Sequence, residues 1–244
     1  MKYIRLLFLI GIVTFFTTCK KDTLNNILNQ GLSQEDAVNG LKDALKVGTG
    51  NTVSLVSIIN GYYGNSLIKI PFPEDATFIV NAVNTYIPTA NPLIDTLVLK
   101  LNRAAENAAI KAKPIFINAI TGMTIGDAFS ILKGGDTAAT HYLRINTYSN
   151  LFSTFKPDID SSLTNVGATQ IWKEVTTYYN SIPDIPYVFT KQQINTDLPA
   201  YTTGKALKGL FLLIGNEEKS IRKDPAKRVD DLLKKVFSEE NTTP

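Results

Sequence analysis

The stretch from Asn91 to Arg144 constrains this chain more than any other. Within it, Ile94, Leu97, Leu101, Ala104, Ala108, Ala112, Ile115 and Ala119 recur every three or four residues, the period of one helix face. The rest of the chain must then supply partner helices to cover that stripe. Small alanines flank Arg103 and Glu106, so a neighbouring helix can approach closely and enclose both charges. Pro114 interrupts the run, and because its ring excludes an interior hydrogen bond, the helix is expected to kink or divide there.

Upstream, Ser33-Gln34-Glu35-Asp36 has the spacing of a capping box, and Ala37, Val38, Leu41, Ala44 and Leu45 mark the face of the helix it opens. Gly48 and Gly50 are expected to break that helix. Residues 52–60 suit a helix or a short strand; helix is preferred because no second run with clean alternation offers to pair with a strand. Gly61 to Asn65 reads as an aromatic turn, and the prolines of Ile70-Pro71-Phe72-Pro73 hold that segment extended. Pro73 can open the next helix, with its stripe at Ala76, Ile79, Val80, Val83, Tyr86 and Ile87. Asn91-Pro92 then reads as a cap and helix start.

Thr124 to Asp127 repeats the capping-box spacing before a short helix through Leu132. Gly134-Gly135 ends it, and Asp136 is placed to cap a helix from Thr137 to about Phe155. Pro157 and Gly167 bracket a further helix, and Ile171 to Tyr179 forms another, carrying Trp172. Residues 181–199 shift to Pro, Tyr, Asn and Asp, a long irregular connection. Thr203 to Lys223 is the second strong helix, burying Leu207, Leu210, Phe211 and Ile214, and Asp224-Pro225 ends it and caps a last helix with Val229, Leu232, Leu233 and Val236 on one face. The reading is all-α: a single irregular bundle of about eight or nine helices over residues 32–238, with 239–244 a frayed tail. At 244 residues with 44% hydrophobic content, the chain can bury a substantial core.

The N-terminal residues read as an address. Lys2 and Arg5 precede an apolar run from Leu6 to Phe16, whose eleven residues fall short of the roughly twenty that cross a bilayer. Cys19, the only cysteine, stands where cleavage after residue 18 would make it the new N-terminus. This resembles a bacterial lipoprotein signal, with acylation at Cys19; the alternative is an ordinary cleaved signal. Residues 19–31 then form a polar tether, and the protein is expected in the cell envelope, anchored and facing the periplasm or the surface. Losing residues 1–18 lowers the formal charge from +3 to +1, which gives no support for nucleic-acid binding.

One polar cluster is a candidate site: Asn102, Arg103 and Glu106 on the central helix, facing Glu217, Glu218 and Arg222 on the second strong helix. Each set shares a helix face by its three- or four-residue spacing. If the faces meet inside the bundle, they form a buried ion network that fixes helix register. Asp136, Arg144 and the only histidine, His141, join the candidates, since a histidine can act as a general base. One histidine cannot build a di-metal carboxylate bundle, and no cofactor or metal is expected. Gly134 to Ala138 could present N–H groups to an anion, but Asp136 would repel it, so the segment reads as helix punctuation. Lys219, Arg222, Lys223, Lys227 and Arg228 interleave with acids and read as a solvated face.

Four separated segments also resemble one family: Asn102 to Glu106, Gly134 to Thr140, Lys205 to Leu207 with Gly209 to Phe211, and Glu217-Glu218 with Ile221-Arg222 and Asp224-Pro225. In this order they are similar to the bacterial domain-of-unknown-function family 4197, mostly secreted or lipid-anchored; Lys208 departs from its pattern, where an acid is usual. The resemblance implies an all-α periplasmic domain and no activity. Three functions remain open: a non-catalytic binding or scaffolding module, a carrier of a hydrophobic ligand in an interhelical cavity, and an enzyme using Glu106, His141 or Glu217.

Overall fold

Ser33 accepts the Asp36 N–H at 3.0 Å while the Asp36 carboxylate takes the Ser33 N–H, so the capping box opens α1 (Gln34–Val56) as its spacing requires. The computed structural model describes residues 33–86, 88–181, 192–224 and 234, and among them there are eight α-helices and no strand. The expected lipoprotein signal, Cys19, the expected tether and tail, and all of the expected last helix but Lys234 lie outside the described residues, as does most of the irregular connection.

Helix α1 runs through Gly48 and Gly50 to Val56, where a break was expected. Each helical glycine costs about 1 kcal/mol relative to alanine. Here Ala44, Leu45, Gly48, Thr52, Val53 and Val56 form one continuous buried face, and that burial carries the helix on. Residues 57–73 then fold as turns and extended backbone, with Asn60 at φ 69°. Pro73 is the residue before a 3-10 turn (Glu74–Ala76) rather than a helical position, and α2 (Thr77–Tyr86) follows.

The central run divides into α3 (Asn91–Ala109) and α4 (Ala112–Thr121). The division falls at Ile110-Lys111, because the Pro114 ring would strike the carbonyl four residues back, and Pro114 itself sits where a helix needs no N–H donor. The break also turns the buried face by one position: Phe116 and Ile120 are fully buried, whereas Ile115 and Ala119 are only partly so. Asn91 does not cap α3. A 3-10 turn (Pro88–Ala90) runs straight into it, leaving no extended residue from which a side chain caps, and Asn91 Oδ1 is buried without a partner among the described residues.

Helix α5 (Ile125–Leu132) starts at the Thr124–Asp127 capping box. Helix α6 (Ala138–Thr164) contains Pro157 in its interior, so the two helices expected on either side of that proline are one. Leu151, Phe155, Ile159 and Leu163 continue a single buried stripe past it, while Pro157 lies on the exposed side, where water can satisfy the carbonyl it orphans. Gly167, at φ 73°, turns the chain into α7 (Ala168–Ser181), which begins three residues before the expected Ile171. Helix α8 (Leu198–Lys223) begins five residues before the expected Thr203, capped by Asp197.

Helices α6 and α8 form the most extensive pair, α3 packs on both, and α1 closes the bundle against α8, α4 and α5. The core gathers Leu101, Ala104, Ala105 and Ala108 of α3 with Leu143 and Leu151 of α6 and Leu207, Leu210 and Phe211 of α8. Each fully buried leucine or phenylalanine contributes about 1.5–3 kcal/mol. The four alanines of α3 bring its axis close enough for its polar residues to reach neighbouring backbone. Among the described residues no single helix is long and apolar enough to cross a membrane; the bent pair α4–α5, which meets the length and composition test jointly, buries Phe116, Ile120, Ala128 and Ile131 in this core.

Candidate functional site

The polar cluster expected as one network is two. Three buried charged side chains occur among the described residues, Glu106, Glu218 and Arg222, and each is engaged by backbone.

The first cluster, on α3, clamps residues 60–70. Glu106 Oε1 accepts the N–H groups of Tyr62 at 3.1 Å and Tyr63 at 3.0 Å, and its other oxygen pairs with Arg103. Arg103 stays half-buried rather than enclosed and donates onward to Asn60 Oδ1 at 2.8 Å. Asn102 takes the Ile70 N–H and returns a bond to the Ile70 carbonyl, both at 2.8 Å, as a strand neighbour would. From the other side Tyr62, fully buried, donates its hydroxyl to the Ala206 carbonyl of α8. Burial, with the Glu106 carboxylate nearby, pushes that hydroxyl well above the ordinary tyrosine range. Gly209 completes the clamp: a Cβ there would stand 2.9 Å from Ile68 Cβ and 3.3 Å from the Tyr62 ring, so only glycine lets the segment lie on α8.

The second cluster closes the start of α6. Glu218, 8% exposed, accepts the N–H groups of Ala139 at 2.9 Å and Thr140 at 2.8 Å and the Thr140 hydroxyl at 2.7 Å. Arg222, 1% exposed, donates to Glu218 at 3.1 Å and to the Ile131 carbonyl at the end of α5 at 2.9 Å. Asp136 therefore does not cap α6; it pairs with Lys223 at 2.7 Å on the surface, and that hydrogen bond holds its carboxyl below the usual range. The helix start does hold an anion, supplied by the chain itself from α8, where the helix dipole and two N–H groups favour it. Arg222 belongs to this buried lock and not to a solvated basic face; Lys227 and Arg228 lie outside the described residues.

Of the remaining candidates, Glu217 borders the second cluster, sharing a recess with Glu218 and Arg222, while His141 and Arg144 lie in a separate groove. Glu217 is partly buried in a small recess with Leu41, Gly48 and Ile221, on the α1 side of α8. His141 and Arg144 are exposed in a groove between α6 and α8. Glu106, His141 and Glu217 thus share no site, and among the described residues no three His, Cys, Asp or Glu side chains lie together as metal ligands would. Residues outside the candidate cluster prove central: Asn60, Tyr62, Thr140 and the Ile131 carbonyl. Tyr62 carried a signal as a large aromatic inside a glycine-bounded turn, and Thr140 lay in the Gly134 to Thr140 segment of the family resemblance. A separate cavity of about 420 Å³ opens between α2, α3 and α7, lined by Phe72, Ile79, Leu93, Leu97 and Trp172 with Lys100 as its one charge.

A family model described as "Protein of unknown function (DUF4197)" matches residues 31–238. Comparison with curated proteins and with solved structures gives no match. The segments that carried the resemblance are the ones that build the two clusters. Asn102 to Glu106 and Lys205 to Phe211 grip residues 60–70, and Gly134 to Thr140 and Glu217 to Arg222 close the start of α6.

Proposed function

The chain belongs to the DUF4197 family, and from that premise we propose a lipid-anchored envelope protein whose helical body binds or positions a partner and performs no reaction of its own. The observation that carries this reading is the occupation of the buried charges. Glu106, Glu218 and Arg222 each bind backbone N–H or C=O groups, and Glu218 and Arg222, which border a small recess with Glu217, also pair with each other. The anchor rests on Cys19 and the short apolar run before it. Metabolic labelling with an alkyne fatty acid and envelope fractionation test it: label and membrane association in the natural chain, both lost in Cys19→Ser, support the anchor. An unlabelled, soluble natural chain overturns it. Crosslinking in the native envelope, followed by identification of what is captured, tests the partner.

The apolar cavity beside Trp172 favours a second reading, a carrier of a hydrophobic ligand, since its volume falls within the range of small-molecule sites. Native mass spectrometry of the detergent-free protein separates the two: a co-purified apolar molecule supports the carrier, and the bare mass supports the module.

A further inference from the structure

The groove between α6 and α8 has cationic walls and an apolar floor. His141 and Arg144 of α6 line one side and Lys208 and Lys219 of α8 the other, with Phe211 buried between them and Leu212 exposed at the edge. Its volume is about 390 Å³, and among the described residues no carboxylate lines it. The neighbouring acids are already committed. Glu218 is bound to Arg222 and the α6 backbone, Asp136 to Lys223, and Glu74 to Lys205. Among the described residues Arg144, Lys208 and Lys219 form no ion pair. Away from its signal the chain is close to neutral, so this concentration of one sign is local to the groove.

The geometry organises those charges. Thr140 meets Glu218 and Arg144 meets Phe211, so the two helices run antiparallel, with Lys219 toward the His141 end and Lys208 toward the Arg144 end. The Arg144 guanidinium carbon lies 5.0 Å from the centroid of the Phe211 ring, a contact that restrains the side chain while its N–H fork makes no ion pair among the described residues. A guanidinium fork flanked by two exposed ammonium groups matches phosphate, which carries up to two charges and several acceptor oxygens, better than a single carboxylate. A recess of one sign over a low-dielectric floor also concentrates the field that draws such an anion in.

We infer that this groove is a binding site for a phosphate-bearing anion, gripped by Arg144 and Lys208 at one end and Lys219 at the other. The ligand is a soluble phosphoester or pyrophosphate, or the phosphate headgroup of a membrane lipid. The full chain carrying Cys19→Ser, so that no anchor contributes, would be titrated by thermophoresis with inorganic phosphate and with pyrophosphate against chloride at matched ionic strength. It would also be sedimented with phosphatidylglycerol vesicles and with phosphatidylcholine vesicles. Saturable pyrophosphate or phosphate binding assigns a soluble ligand; binding to phosphatidylglycerol vesicles alone assigns a headgroup. In either case Arg144→Gln/Lys208→Gln is expected to weaken binding at least tenfold with an unchanged circular dichroism spectrum, while Lys113→Gln/Lys173→Gln, two exposed cations elsewhere, binds as the parent does. Binding to none of the probes, or equal binding by Arg144→Gln/Lys208→Gln, overturns the site.

Discussion

Glu218 takes both the backbone N–H of Thr140, at 2.8 Å, and its hydroxyl, at 2.7 Å, across 78 residues of chain. The helix that starts at Ala138 is therefore capped by another helix and not by its own preceding residues. Withdrawing Glu218 takes the acceptor from two buried N–H donors and one of the partners from the Arg222 guanidinium.

Glu218→Gln is expected to cost about 3–5 kcal/mol, because it removes the buried carboxylate with which Arg222 pairs. Arg222→Met should cost a similar amount for the converse reason. The double variant should cost less than the two combined, since the residues act on one another directly. Urea unfolding of the four proteins measures this; additive losses would mean that the two side chains are not coupled.

Glycine substitutions should divide by position. Gly209→Ala drives a methyl into Ile68 and Tyr62 and is expected to destabilise by about 1–3 kcal/mol. Gly50→Ala, inside α1 with nothing within 4 Å of the added carbon, should stabilise by about 0.5–1 kcal/mol. Thermal unfolding reads both as shifts of opposite sign, and a shared sign would contradict the packing described at Gly209.

The pH limbs have separate sources. The Thr124 hydrogen bonds hold the Asp127 carboxyl low, and Lys223 does the same for Asp136. Both remain ionised to lower pH folded than unfolded. Their stabilising contribution is complete above the unfolded aspartate value, about 3.9, and is lost as pH falls through the folded value. The urea midpoint should fall from pH 5 to pH 3, and fall less in Asp127→Asn/Asp136→Asn. Tyr62 acts at the other end. Its raised hydroxyl favours the folded chain fully below about pH 10, and that contribution is lost as pH rises beyond it. Between pH 9 and 11 the midpoint should fall, and fall less in Tyr62→Phe.

What the sequence disclosed follows the range of each interaction. The capping boxes at Ser33 and Thr124 were legible because donor and acceptor lie three residues apart, and the buried stripe of α8 because period alone defines it. The partners of Glu106 and Glu218 were not. Both bind backbone N–H groups far along the chain, and an N–H is carried by nearly every residue, so no pattern marks it. Spacing placed Arg103 with Glu106 and Glu218 with Arg222 correctly, yet it could not say which neighbouring segment each face meets; they meet different ones. His141 joined the candidates for its chemistry, as the one histidine, and chemistry does not say where a side chain lies; it is exposed in a groove away from Glu106. Pro157 misled in the opposite sense, since a buried stripe on the far side of the helix outweighs one lost hydrogen bond.

The claim on which the account turns is that the inner charges hold segments together and do not react. It is tested most directly by Glu106→Gln, measured by urea unfolding and by complementation of a strain lacking the protein. A loss of about 1–3 kcal/mol is expected, from weakened acceptance of one buried and one part-buried N–H group, with complementation intact below the melting temperature. Unchanged stability with complementation abolished would contradict it.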